Sequence, residues 1–72
     1  MKNKVRYYRQ ELKITQEQLG KALSITRQTV GALEHGKFDP PISMAYRISL
    51  ILKQPLDELF NFDEVEIEID YD

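Results

Sequence analysis

Arg27 and Gln28 stand side by side, followed by Thr29 and, one helical turn on, Ala32. A guanidinium offers two parallel donors that match O6 and N7 of guanine, and a carboxamide matches N6 and N7 of adenine. The methyl of Thr29 or Ala32 can meet the methyl of thymine. At about 100° per residue, a helix that turns Val30, Leu33 and Glu34 inward points Gln28, Ala32 and His35 outward, with Gly31 at their flank. Arg27 sits in the first turn, where a major groove admits a helix end. On an isolated helix these groups would be an ordinary solvated face, so their context decides.

Other chemistry is poorly served. Without cysteine, disulfides and thiolate metal sites are excluded, and His35, the one histidine, cannot build an imidazole cluster. Glu66, Glu68 and Asp70 share one face of a strand but lie roughly 7 Å apart, too far for one ion. No phosphate-cradling glycine loop and no nucleophile with a histidine base is present, so no enzyme, cofactor, metal or small-molecule ligand is expected. Nothing resembles a signal peptide or a membrane span, which fits a cytoplasmic protein. The net charge is −2, but residues 61–72 hold six acids and no base. Residues 1–60 therefore carry ten bases against six acids, a basic body with an acidic tail.

The elements that must position these side chains follow from period and punctuation. Val5, Tyr8 and Leu12 repeat at helical spacing in a first helix ending near Lys13. Thr15 with Gln18 three residues on forms a capping box that opens a second helix with Leu19, Ala22 and Leu23 inward. Ser24 and Ile25 are the joint, Thr26 caps a third helix running to about His35, and Gly36 ends it. "KFDPP" is a loop, Ile42 to Lys53 a fourth helix, and "PLDELF" a short fifth that starts on its proline. Val65, Ile67, Ile69 and Tyr71 then alternate with acids, the pattern of a strand.

"TQEQLGKAL", "TRQTV", "LEHGK" and "PLDELF", in that order, resemble the phage-repressor and Cro-like helix-turn-helix family of bacterial transcriptional regulators. The resemblance covers residues 4–60 and is nearest to short, single-domain members. It implies a mainly α fold: a five-helix, lambda-repressor-like DNA-binding domain over residues 1–60, its helix-turn-helix at 16–35, with residues 61–72 as an acidic β-strand extension. Ser24 and Lys13 depart from the family, which usually has glycine at the first place and glycine or asparagine at the second.

The family's base-reading positions fall on Arg27, Gln28 and Ala32, with Thr29 beside them. Gln16 opens the second helix, whose free N–H groups suit a phosphate, and the family uses this glutamine to clamp the DNA backbone. Lys37 matches a second phosphate anchor, and His35 and Arg9 are further phosphate candidates. Arg9 and Glu34 match a structural pair. Glycine at position 31 costs roughly 1 kcal/mol against alanine in a helix, and close approach to DNA is one reason to place it there.

The fourth helix is apolar nearly all round. Ile42, Ala45, Ser49 and Leu52 read as its core face, whereas Met44, Ile48 and Ile51 need other cover, together with Val65, Ile67, Ile69 and Tyr71 of the tail. The tail strand can pair with the chain's own N-terminus or with a second subunit. A homodimer is expected, and with it a repressor that binds double-stranded DNA at an inverted repeat. The alternative is a protein-interaction module on the same scaffold, an antirepressor or antitoxin-like partner.

Overall fold

The computed structural model describes residues 1–64. Five helices follow in order: α1 (Val5–Glu11), α2 (Gln16–Leu23), α3 (Arg27–Glu34), α4 (Ile42–Leu52) and α5 (Leu56–Leu59), then a single 3-10 turn at Phe62–Glu64. Among the described residues there is no strand, and the β-extension expected over 65–71 lies outside them.

Helix starts obey local chemistry. The Thr15 hydroxyl accepts the Gln18 N–H at 3.0 Å while the Gln18 carbonyl oxygen accepts the Thr15 N–H at 2.8 Å, closing the expected capping box. Thr26 accepts the Thr29 N–H at 3.1 Å and so opens α3. Pro55 stands one place before α5, as its cap, and not as its first residue.

The ends share one device. Lys13, Ser24, Gly36 and Lys53 all have positive φ. After each, the next residue's N–H returns to a carbonyl five places back: Ile14 to Arg9, Ile25 to Gly20, Lys37 to Ala32 and Gln54 to Ser49. This left-handed closure satisfies carbonyls the helix leaves orphaned. It also compresses the joint between α2 and α3 to three residues, Ser24 to Thr26. The same compression explains Gly20, where a Cβ would come 2.8 Å from the Ile25 carbonyl oxygen.

The core gathers Val5, Leu19, Leu23, Val30, Leu33, Ala45, Ile48, Leu52, Leu59 and Phe60. Three placements differ from the periodic reading. Ala22 is exposed, and Gly20 takes the buried place on α2. Leu12 remains 40% exposed, because α1 turns Arg9 inward instead. On α4 the core face is Ala45, Ile48 and Leu52, so Ile48 is fully buried and does not belong to a free interface. Met44 and Ile51 flank that face, half-buried against the core. The free stripe is Ile42, Tyr46 and Leu50, 74%, 57% and 59% exposed.

The N-terminal segment straps the bundle shut. The Lys4 N–H donates to the Leu59 carbonyl at 2.7 Å and the Asn61 N–H to the Lys2 carbonyl at 2.8 Å, around an antiparallel bridge between Asn3 and Phe60. Asn3 also donates to the Leu33 carbonyl at 2.8 Å, tying this strap to the end of α3. On the other side, the Tyr8 hydroxyl at 2.7 Å and the Lys4 ammonium at 3.2 Å both reach one Glu58 oxygen. Those donors hold the Glu58 carboxyl below the ordinary glutamate value, Tyr8 contributing most, and the same bond raises the Tyr8 phenol.

Candidate nucleic-acid interface

α3 is held by an ion pair at its last turn. Glu34, its side chain 1% exposed, accepts from Arg9 Nε at 2.6 Å and from Arg9 Nη2 at 3.3 Å. Arg9 Nη1 donates to the Ile14 carbonyl at 2.8 Å. The Gln16 amide Nε2 donates to the same carboxylate at 3.0 Å. One carboxylate thus ties α1, the start of α2 and the end of α3 together, and each member of the buried network has a partner. The expected Arg9–Glu34 pair is made. Its completeness corrects the expectation that Arg9 also meets phosphate: its nitrogens are engaged inside the protein and its side chain is 9% exposed.

With its far end fixed, α3 presents its near end. Arg27 and Gln28 are exposed in its first turn, and neither side chain makes a hydrogen bond or ion pair among the described residues. Ala32 is half-buried, and Thr29 is half-buried with its hydroxyl 2.9 Å from that of Thr26. Thr29 therefore offers chiefly its methyl. His35 is exposed; its Nδ1 donates to the Gly31 carbonyl at 2.7 Å, which leaves Nε2 outward. Lys37 is exposed just past Gly36, with its N–H anchored on the Ala32 carbonyl at 2.9 Å.

Between the α1–α2 turn and α3 runs an open groove lined by Lys13, Thr15, Gln16 and Arg27 among others. Lys13 is a residue that sequence reasoning passed over as a mere departure from a pattern. A base two residues before the cap of α2 was the available signal. The charges around the groove favour an anion. Glu34 is neutralised by Arg9, and Glu17 lies 3.7 Å from Lys21.

Of the dimer residues expected from sequence, Ile48 is buried, Met44 and Ile51 are half-buried, and Val65, Ile67, Ile69 and Tyr71 lie outside the described residues. No group of three histidine, cysteine or acidic side chains among the described residues can hold a metal, and no described helix is long and apolar enough to cross a membrane.

Two short helices joined by a tight turn, the second braced at its end and exposed at its start, define a helix-turn-helix. The family model of that description matches residues 5–59, and the chain belongs to the helix-turn-helix family. It is 39% identical over 66 residues to an uncharacterized HTH-type transcriptional regulator of Methanocaldococcus jannaschii, covering 92% of this chain and 100% of that one. Similar relatives are an uncharacterized HTH-type transcriptional regulator of Archaeoglobus fulgidus (33% identity, 93% of this chain and 94% of that one) and YgzD of Bacillus subtilis (36%, 89% and 97%).

Proposed function

We propose that the protein is a sequence-specific DNA-binding transcriptional regulator, a repressor that acts by occupying an inverted-repeat operator as a homodimer. The observation that carries this reading is the pairing of exposed Arg27 and Gln28 with a buried Glu34–Arg9–Gln16 network that fixes the helix bearing them. Base reading needs hydrogen-bonding groups held at a set angle in the major groove, and a brace made from three elements supplies that angle. Gln28, Thr29 and Ala32 complete the reading face. Gln16, Lys37 and His35 face phosphates, with Lys13 added to them. The names of the relatives, transcriptional regulators in archaea and in a bacterium, support the same class.

The dimer contact is assigned to the stripe Ile42, Tyr46 and Leu50, which is apolar, exposed and repeats every four residues along α4. Residues 61–72 belong with that contact, not with DNA, since their six acids would repel phosphate. The stripe also favours a second reading, an interaction module whose partner is another protein.

Selection from a random duplex pool at fixed, near-physiological salt separates the two. The expected outcome is an enriched inverted repeat, whose half-site spacing measures the distance between the two reading helices. Salt-sensitive binding with no enriched sequence would sink the repressor reading and favour the interaction module.

A further inference from the structure

Gly31 lies inside α3, where glycine is the poorest helix former after proline. The chain has three glycines, and the other two answer to the protein itself. At Gly20 a Cβ would strike the Ile25 carbonyl, and at Gly36 the backbone has φ +75° with the Met1 carbonyl oxygen 3.0 Å from a would-be Cβ. Gly31 has no such constraint. Its φ is not positive, and a Cβ there would meet Gln16 Nε2 alone, at 4.0 Å, an ordinary contact. The fold has room for alanine and would gain helix stability from it.

Gly31 is half-buried, and the room for a Cβ lies beside the start of α2. Gly31 stands one turn after Arg27 and one turn before His35, whose ring bonds to the Gly31 carbonyl. Its missing side chain would point toward the Gln16 amide. The position is therefore flanked by the groups assigned above to phosphate and to base edges.

We infer that Gly31 is a specificity-determining position: the absence of a side chain lets the duplex approach the α3 backbone closely enough for Gln16 to hold a phosphate while Arg27 and Gln28 reach base edges. This rests on the DNA-binding reading. A methyl at this point stands between the helix and the groove wall. Base contacts are short and directional, so they fail first, whereas attraction to phosphate falls off gently with distance.

Gly31→Ala tests this with two measurements on the full chain: thermal unfolding, and titration of the duplex selected above against a scrambled duplex of equal length. The expected result is a Tm raised by roughly 4–8 °C, with affinity for the selected duplex lowered roughly tenfold or more and affinity for the scrambled duplex lowered less. Undiminished affinity for the selected duplex would overturn this inference alone. A lowered Tm would do the same, since the glycine would then serve the fold. If the wild-type chain selects no duplex, the DNA reading itself fails and this inference with it.

Discussion

Arg27 and Lys37 are both exposed cations near α3, yet they should fail differently. A guanidinium bonded to one base is worth about 1–3 kcal/mol of discrimination at that position. Arg27→Ala should therefore cost that much on the preferred duplex and flatten preference at one base pair, read by repeating the selection. On the proposed reading Lys37 would meet only phosphate charge, so Lys37→Ala should weaken every duplex alike and reduce the slope of log affinity against log salt by about 1. A uniform loss for Arg27→Ala would count against base reading by that residue. Glu34 belongs to a different class, because removing it strands Arg9 without its carboxylate. Glu34→Ala should destabilise the fold by about 3–5 kcal/mol in denaturant titration, whereas replacing Arg9 and Glu34 together by apolar residues of similar size should cost less, since it leaves no buried charge and only the Gln16 amide and the Ile14 carbonyl lose a partner. A mild single-variant effect would mean that solvent reaches the pair. These roles were partly legible in the sequence. The outward placement of Arg27 and Gln28 at the start of α3 was, because helix phase suffices for it. The burial of Arg9 was not legible from periodicity, since a hydrophobic period reads a charge as an outward position, and here the charge is neutralised across a contact 25 residues long.

The elements were legible wherever a signal was local. The capping box at Thr15, the cap at Thr26 and the stop at Gly36 each need only a few residues, and each is made as read. A serine at the joint where the family has glycine pointed to a strained turn at Ser24; what sequence did not reveal is that the same left-handed ending recurs at Lys13 and Lys53. Lys13, Ser24 and Lys53 hold φ of 58°, 58° and 59°. A non-glycine residue there costs about 1–2 kcal/mol, and glycine returns roughly 0.4–1 kcal/mol of that as extra freedom of the unfolded chain. Lys53→Gly, far from the reading face, should thus raise stability by about 0.5–1 kcal/mol, seen as a higher denaturation midpoint with unchanged DNA affinity. A decrease would place Lys53 in an interaction that offsets its strain. The clasp between α1 and α5 has its own signature. The Glu58 carboxyl is held below its ordinary value, so its contribution is complete above the unfolded value of about 4.3 and is lost as pH falls through the folded value. Glu58→Gln should remove that acid-limb dependence. The same dependence persisting in the variant would assign it to another carboxylate.

For the whole molecule, the distribution of apolar surface matters more than its amount. The sequence showed α4 to be apolar around most of its circumference, and from that alone a core face of Ile42, Ala45, Ser49 and Leu52 was expected. In the fold, α4 is rotated so that Ile48 goes to the centre, where it meets the cluster that includes Val5, Leu33 and Leu59. Helical period fixes which residues share a face; only packing against the other helices decides which face is inside. The rotation leaves Ile42, Tyr46 and Leu50 in solvent. Three large apolar side chains in line on one short helix are unusual for a chain acting alone, and a two-fold axis across that line would cover each with its counterpart. Such a pairing would also connect stability, assembly and DNA binding: two reading helices related by that axis would meet an inverted repeat, and each half-site would bind far more tightly once the other was engaged. Leu50→Glu places a charge at the C-terminal end of the stripe, on a side chain 59% exposed and outside the core. It should leave the helical signal and the unfolding cooperativity of the dilute protein intact while shifting sedimentation from twice the chain mass to once. The same variant should bind a single half-site nearly as well as wild type but lose its advantage on the full repeat. A variant that still sediments as a pair would move the axis off α4. A wild-type chain that is monomeric yet prefers the full repeat would mean that DNA itself brings the two copies together.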